Sequence, residues 1–384
     1  MRLALALIAF AGWSDTQVVL RDPSVAPITD VVEVGPAGVI LAGASPRRII
    51  PWNLVRRVDG PHADQAAEFL RAGDDLWRSL GRIARGDLPS AESLLESISG
   101  ESVTTPGPTA QIVWLALARC RLERGAHTAA TAAWLEWLAV RTPDDPLIES
   151  TPLPWASHAA PDQTGLVPHL PPIWVNVPSV AVAAGEHTRP WSAGFADRDD
   201  DAGRLAETLR GWYVQAARGA CDLPTGPWPE PTDHPGVALV SAVVLAQHGD
   251  EGERHSAREQ LRSLLGRGAA PWIESWCRVA LGRSLLRESD AETRRLGVVE
   301  LLHVPARLES AVPYLTGIAL ADAAAGLRML GDHRGATTLR DELIRRYSGH
   351  PALEWSQVRD WPAAPIRPVA PDGGDSEAGS DRRP

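Results

Sequence analysis

The sequence predicts a mainly α-helical protein in which αα-hairpins form a solenoid behind a small N-terminal β-sheet or barrel module. Three observations carry this prediction. Short β-rich segments punctuated by glycine and proline fill the first sixty residues. From Ala63 onward, apolar residues recur at the three- and four-residue spacing of a helix face. Two stretches, 114–143 and 319–351, have two helical halves joined at a glycine.

The β module is predicted over residues 12–60. Its candidate strands are Thr16–Leu20, Ile28–Val34, 39–43 and Ile49–Trp52. The pattern GVIL followed by RRIIPWNLVRRVDG resembles small SH3-like or Sm-like β modules that are attached to bacterial repeat proteins. We expect this module to cap the helical part of the chain, and peptide binding is the alternative.

Helices are predicted in two regions, residues 61–142 and residues 196–361. The first region contains Ala63–Arg85, Ala91–Ser99 with Ser90 as its N-cap, Thr109–Arg124 and Thr128–Val140. The second contains 201–219, 236–248, 252–265, 270–287, 291–302, 311–330 and 334–347. These helices should supply most of the hydrophobic core.

A proline-rich insert separates the two helical regions and is predicted over residues 143–195. Ten prolines between residues 143 and 190 exclude a continuous helix. Trp155 and Trp174 indicate an ordered segment rather than a flexible linker, and we expect it to lie over the helices. Residues 362–384 lack apolar periodicity and are predicted to be disordered.

The stretch WLALARCRLERGAHTAATAAWLEWLAVRTP, residues 114–143, resembles a tetratricopeptide repeat (TPR). Gly125 stands at the turn of the repeat, Ala118 and Ala130 at its small positions, and Trp114 and Trp134 at aromatic positions. The resemblance implies a helical hairpin that stacks with others into a solenoid. Trp137 departs from the pattern, since an alanine normally lets the next repeat pack there, and we expect the proline-rich insert to cover that face.

Residues 319–351 repeat the pattern, with Gly331 at the turn and Ala324 and Ala336 as the small pair. Arg340 departs from it, because an aromatic residue is usual at that position. Weaker hairpins are predicted between the two clear matches.

The resemblance implies a groove, lined by the first helix of each repeat, that binds an extended peptide or a helix of a protein partner. The corresponding positions are Ile112, Leu115, Arg119, Leu122 and Glu123 in the first repeat, with Arg328 and Met329 in the last. The Lys/Asn pattern that clamps a terminal carboxylate in chaperone-binding members is absent. The groove chemistry is mixed and does not predict the partner's identity.

The amino-acid composition and the sequence motifs argue against several classes of function. The net charge is −10, all basic residues are arginine and no arginine-dense run occurs, which argues against nucleic-acid binding. The three cysteines, at 120, 221 and 277, form no C-x-x-C motif, and no cofactor or metal motif is found. The acidic run from Asp197 to Asp201 fits a solvated loop that caps a helix better than a calcium loop or the acid motif of a terpene cyclase.

The N-terminus MRLALALIAFAGW has the pattern of a short secretory signal peptide, predicted over residues 1–11. The protein is therefore predicted to be periplasmic or secreted, or cytoplasmic if this segment is structural. No other segment has the length of a membrane span.

The sequence thus favours a non-enzymatic scaffold or adaptor that binds a protein partner in the cell envelope. One alternative is a helical enzyme with a site near the Asp197–Asp201 loop and the insert. Another is a structural subunit that self-associates.

Overall fold

The computed structural model describes residues 16–42, 48–98, 101–141, 161–185, 200–230, 232–266 and 268–361. The predicted signal peptide, much of the insert and residues 362–384 lie outside these ranges. A small antiparallel β module precedes fourteen helices within the described residues, which confirms the predicted mainly α fold. None of the helices described is long and apolar enough to cross a membrane.

The helices of the first half are α1 (Ala63–Ala84), α2 (Leu88–Ser97), α3 (Glu101–Thr104), α4 (Pro108–Glu123), α5 (His127–Val140), α6 (Pro178–Gly185) and α7 (Asp201–Ala220). Those of the second half are α8 (Pro235–His248), α9 (Glu251–Leu265), α10 (Pro271–Leu286), α11 (Ala291–Arg307), α12 (Pro313–Met329), α13 (His333–Arg346) and α14 (Ser356–Arg359).

Five strands form two sheets in the β module. They are β1 (Gln17–Leu20), β2 (Val31–Gly35), β3 (Gly38–Leu41), β4 (Ile49–Ile50) and β5 (Val55–Asp59). β1 pairs antiparallel with β5, and β2, β3 and β4 form a three-stranded antiparallel sheet. The turn between β2 and β3 is tight, and Gly38 adopts a φ of +145°, a backbone conformation that favours glycine.

Trp52 fixes the β module against the helices. Its ring is fully buried, stacks on Phe69 of α1 at 5.5 Å and donates from Nε1 to the Gly35 carbonyl at 2.9 Å. The Trp52 amide donates to Thr109 Oγ1 in the first turn of α4, and that hydroxyl donates to the Ala37 carbonyl at 2.8 Å. The module is therefore joined to two helices by buried hydrogen bonds and ring packing.

Pairs of helices joined by short turns pack against each other along the chain, notably α4 with α5, α10 with α11 and α12 with α13. Gly125 and Gly331 turn the first and last of these hairpins at φ values of +78° and +84°. Ala118, Ala130, Ala324 and Ala336 are all buried. The two glycine-centred stretches of the sequence are thus hairpins with small residues in the core.

Several predicted helix ends differ from those observed. Ser90 is not an N-cap, because α2 begins at Leu88 and places Pro89 in its first turn, where proline costs no hydrogen bond. α11 continues through Pro305 to Arg307, since a proline in the last turn removes only one helical hydrogen bond. The insert contains a short helix, α6, that the sequence did not predict.

Residues 161–177 form an irregular segment, called the buried strap below, that lies between the helices. Leu166, Val167 and Pro168 are buried, as is every residue from Leu170 to Val175. The strap opens with a tight loop in which Asp162 Oδ1 accepts hydrogen bonds from the Thr164 and Leu166 amides, at 2.9 and 3.1 Å. Most of the strap between residues 165 and 175 is therefore within the core, whereas the sequence suggested a segment laid over the helices.

Side chains from four different helices hydrogen-bond to the strap's carbonyl groups. Nε1 of Trp134 in α5 donates to Gly165 O at 3.0 Å, and Nε1 of Trp276 in α10 donates to Pro168 O at 2.9 Å. The Tyr213 hydroxyl in α7 donates to Leu170 O at 2.5 Å, and the Tyr314 hydroxyl in α12 donates to Ile173 O at 3.2 Å. Arg283 Nη1 in α10 donates to Trp174 O at 2.7 Å. The helices therefore satisfy a backbone that has little regular structure of its own.

Arg283 joins the strap to two other helices. Its Nε donates to Asp322 Oδ2 of α12 at 2.6 Å, and its Nη1 also donates to Gln247 Oε1 of α8 at 2.9 Å. The side chains of Arg283 and Asp322 are only 13% and 8% exposed, so this ion pair is largely shielded from water. Burial raises the pKa of the Asp322 carboxyl, and Arg283 opposes that rise.

Replacing Tyr213 with phenylalanine should lower the free energy of unfolding by about 1–3 kcal/mol, because the buried Leu170 carbonyl loses its donor. The matched control is Tyr347→Phe, whose hydroxyl donates to the partly exposed Glu309. We expect the control to lose less than about 1 kcal/mol, since water can replace that bond. Urea unfolding followed by circular dichroism measures both values. Equal losses in the two variants would contradict the role assigned to the strap.

Replacing Arg283 with methionine should destabilise the fold by about 3–5 kcal/mol, because Asp322 is left buried without its cation. The double variant Arg283→Met with Asp322→Leu should recover part of that loss, since it removes both charges together. A double-mutant cycle from urea unfolding gives the coupling between the two side chains. If the losses of unfolding free energy in the two single variants simply add in the double variant, the interaction between Arg283 and Asp322 does not stabilise the fold.

Candidate binding site

A cavity of about 500 Å³ lies where the first clear helical hairpin meets the last. It is lined by the turn between α4 and α5, by the start of α12 and by the segment after α13. His169 of the buried strap also lines it. We call this space the junction cavity. Its lining residues come from four separate parts of the chain and include His127, His169, Tyr314, Tyr347 and His350.

Three aromatic rings stack along the wall of the junction cavity. The rings of His127 and Tyr314 lie 4.0 Å apart between centroids, and those of Tyr314 and His350 lie 5.3 Å apart. Tyr347 meets His350 edge-on at 6.4 Å. This stack joins the start of α5 to the start of α12 and so connects the two hairpins directly.

Hydrogen bonds fix the protonation sites of two of the histidines. His350 Nδ1 accepts from the Ala352 amide at 3.0 Å, and its Nε2 therefore carries the proton donated to the Tyr314 carbonyl at 2.8 Å. His127 donates from Nδ1 to the Gly125 carbonyl at 2.9 Å, which leaves a lone pair on Nε2. Burial lowers the pKa of His127 to about 4 and lowers the pKa of His350. Both rings are therefore neutral near pH 7.

Charged groups at the cavity differ in how fully they are paired. Arg346 contacts both Glu309 and Glu342, the latter at 2.9 Å. Glu309 also accepts from the Tyr347 hydroxyl at 2.8 Å. The Glu123 carboxylate, in contrast, has its ion-pair partner Arg119 at 3.9 Å, which exceeds a hydrogen-bond distance. The Glu123 side chain is 42% exposed, and its carboxylate remains available to a ligand.

The predicted groove residues do not form one surface. Leu122 and Glu123 line the junction cavity, and Arg119 lies one turn away with a side chain only 13% exposed. Ile112 and Leu115 are buried in the helical core. At the end of α12, Met329 is 55% exposed, and Arg328 lies over the ring of Trp361 at 4.6 Å.

Trp361 also lies near Arg340 of the last hairpin. The Arg340 guanidinium is 5.9 Å from the centroid of the same ring. Two arginine side chains therefore lie within cation–π distance of Trp361.

The acidic loop is described from Asp200 onward, and Asp197 and Asp199 lie outside the described residues. Asp200 is the N-cap of α7 and accepts from the Gly203 amide at 2.8 Å. Asp201 pairs with Arg204 at 2.6 Å and lines a second cavity of about 770 Å³, between α5, α7 and α8. The described part of this loop therefore has the capping geometry expected of a solvated helix start.

The cysteines and the potential metal ligands are the remaining side chains with reactive or metal-binding groups. All three cysteines are free thiols, and burial raises the pKa of Cys120 to about 11 and that of Cys277 to about 12. In the ranges covered by the structure, no three histidine, cysteine or acidic side chains are placed to hold a metal ion. The histidines of the junction cavity thus present ring faces and single nitrogen atoms rather than a metal centre.

The sequence singled out Leu122 and Glu123 as candidate groove residues, and both line the junction cavity, but it gave no indication of the aromatic side chains beside them. His127 and Tyr314 are far apart in the chain, and no local pattern connects them. The only local signal was the position of His127 directly after the Gly125 turn, where a side chain lies at the exposed end of a hairpin.

Comparisons of this chain with protein-family models, with curated proteins and with solved structures find no match.

The free energy of unfolding should fall as the pH is lowered from 7 to 5. The unfolded chain binds protons at its histidines as the pH passes about 6.5, whereas folded His127, with a pKa of about 4, stays neutral. Burial and the nearby Arg283 and Arg287 lower the pKa of His248 to about 3, so this residue adds to the same decline.

Phenylalanine at His127 keeps the ring stack and removes the titrating group, so it should reduce the decline. His255, which is exposed on α9, provides the matched control variant His255→Phe. Urea unfolding at pH 7 and pH 5 gives the decline for each protein. If the unfolding free energy of His127→Phe falls between pH 7 and pH 5 by as much as that of the wild type, His127 does not cause the pH dependence.

Proposed function

We propose that the protein is a non-enzymatic scaffold or adaptor of the cell envelope that binds a protein partner at the junction cavity and the adjoining end of α4. The observation that carries this proposal is the open cavity between the first and last hairpins, which Leu122 and Glu123 line. These are two of the positions at which TPR-like hairpins contact their partners. An aromatic wall and an exposed carboxylate are suited to recognising a protruding side chain.

The buried strap supports a partner site at this edge rather than deep between the helices. Side chains of α5, α7, α10 and α12 hold the strap as a binding groove holds an extended peptide, through its backbone carbonyls. The chain's own residues therefore occupy that space. A partner can therefore bind at the edge of the helical region, where the hairpin turns and the junction cavity are accessible.

Affinity capture tests the proposal. The full chain should retain one stoichiometric protein from the envelope fraction of its native host, identified by mass spectrometry. Glu123→Arg should abolish retention, because it reverses the one weakly paired carboxylate of the cavity. Glu259→Arg on α9 is the matched control, since Glu259 is also an exposed helical glutamate.

Retention that survives Glu123→Arg would place the partner elsewhere on the molecule. A chain that retains nothing from either the envelope or the cytoplasmic fraction would argue against the adaptor function itself. Light scattering over a concentration series accompanies the capture, because self-association alone would favour a structural subunit.

A further inference from the structure

The junction cavity offers a ligand two side-chain hydrogen-bond acceptors. The hydroxyl groups of Tyr314 and Tyr347 are already committed to Ile173 O and Glu309. His350 uses both ring nitrogens within the protein. The carboxylate of Glu123 and the Nε2 lone pair of His127 are two acceptors in the lining. A ligand that binds these two groups must donate hydrogen bonds to them.

The charges at the cavity favour a cation over an anion. Arg346 is the cationic side chain in the lining, and the carboxylates of Glu309 and Glu342 already neutralise it. Glu123 has one cationic neighbour, Arg119, at 3.9 Å. An incoming anion would have to displace two carboxylates from Arg346, whereas an incoming cation meets a carboxylate that has no hydrogen-bonded cation.

Hydrogen-bond geometry adds a preference for a planar cation. A guanidinium group can donate two parallel hydrogen bonds to one carboxylate. An ammonium group offers the same charge without the planar fork, so it gains less from the Glu123 carboxylate. The tyrosine rings do not add to this preference, because Tyr314 is stacked with His127 and His350 and Arg346 lies 5.9 Å from the centroid of the Tyr347 ring.

We propose that the junction cavity binds the guanidinium group of an arginine side chain on the protein partner, with Glu123 as the counter-charge and His127 Nε2 as a second acceptor. The identification of a protein as the source of this arginine rests on the proposed adaptor function. The guanidinium chemistry itself rests on the cavity alone. The two parts therefore need separate tests.

The first test uses N-acetyl-arginine methylamide as the probe and the full chain. Nuclear magnetic resonance titration, followed on the ring signals of His127 and Tyr347, should give saturable binding. The neutral isostere N-acetyl-citrulline methylamide should not bind, and the lysine analogue should bind more weakly. Glu123→Gln should weaken arginine binding by about tenfold or more, since it removes a charged hydrogen-bond partner. Glu259→Gln, the matched exposed control, should leave binding unchanged.

Absence of saturable arginine binding would overturn the proposal, as would equal binding of citrulline or an unchanged affinity in Glu123→Gln. Circular dichroism and the midpoint of thermal unfolding confirm that the variants remain folded. Because Glu123 is exposed, its replacement by glutamine leaves the core intact.

The second test separates the source of the cation. The arginine probe should elute the partner retained in affinity capture, and the citrulline probe should not. A partner that is retained but resists elution by arginine would refute the arginine anchor while the adaptor function stands. Probe binding in a chain that captures no protein would refute the adaptor function and assign the cavity to a small guanidinium compound.

Discussion

The need to hydrogen-bond a buried, irregular backbone is the constraint on which the rest of this structure depends. The buried strap runs between the helices without a helix or strand of its own from residue 161 to 177. An unpaired carbonyl in such a place costs about 1–3 kcal/mol. Five helix side chains remove that cost by donating to the carbonyls of residues 165, 168, 170, 173 and 174. The hydrogen bonds to the strap therefore fix the positions of the helices that carry those donors.

Some of the chain's prolines and tryptophans serve this arrangement. The 33 prolines include Pro168, Pro171 and Pro172 in the strap, and each lacks a backbone N–H that would need a buried acceptor. Tryptophan combines a large apolar ring with one donor, which suits a helix that must fill space and also bond a carbonyl. Trp134 and Trp276 both do so while fully buried. Other buried tryptophans contribute packing alone, since the Nε1 atoms of Trp137, Trp174 and Trp212 have no hydrogen-bond partner in the described structure.

Local sequence patterns predicted most of the helices and the β module. The contacts that bring distant parts of the chain together could not be predicted in this way. Apolar periodicity and the glycine turns predicted both ends of α4, α5, α12 and α13 to within two residues, and the largest difference is the start of α12, predicted at residue 311 and observed at Pro313. Pro89 would have corrected the start of α2, since proline favours the first turn. No local pattern could reveal that Trp276 bonds a residue 108 positions away, or Tyr314 one that is 141 away. Glu123 was a candidate because of its position in a predicted hairpin, whereas no sequence pattern indicated the aromatic side chains around it.

The same long-range contacts separate the residues that hold the fold from those that remain available for binding. Tyr314 is shared, since its hydroxyl anchors the strap while its ring stacks on His127 at 4.0 Å. Through Tyr314, the strap is thus bonded to α12 at the point where α12 contacts the start of α5, beside the junction cavity. Within that cavity the tyrosine hydroxyls and Arg346 are already engaged by the protein. Glu123 has no comparable structural role, so selection for a partner could act on it without loss of stability. A cavity whose walls are fixed by internal bonds, and in which the Glu123 carboxylate and His127 Nε2 remain as acceptors, is preorganised for a ligand that donates hydrogen bonds.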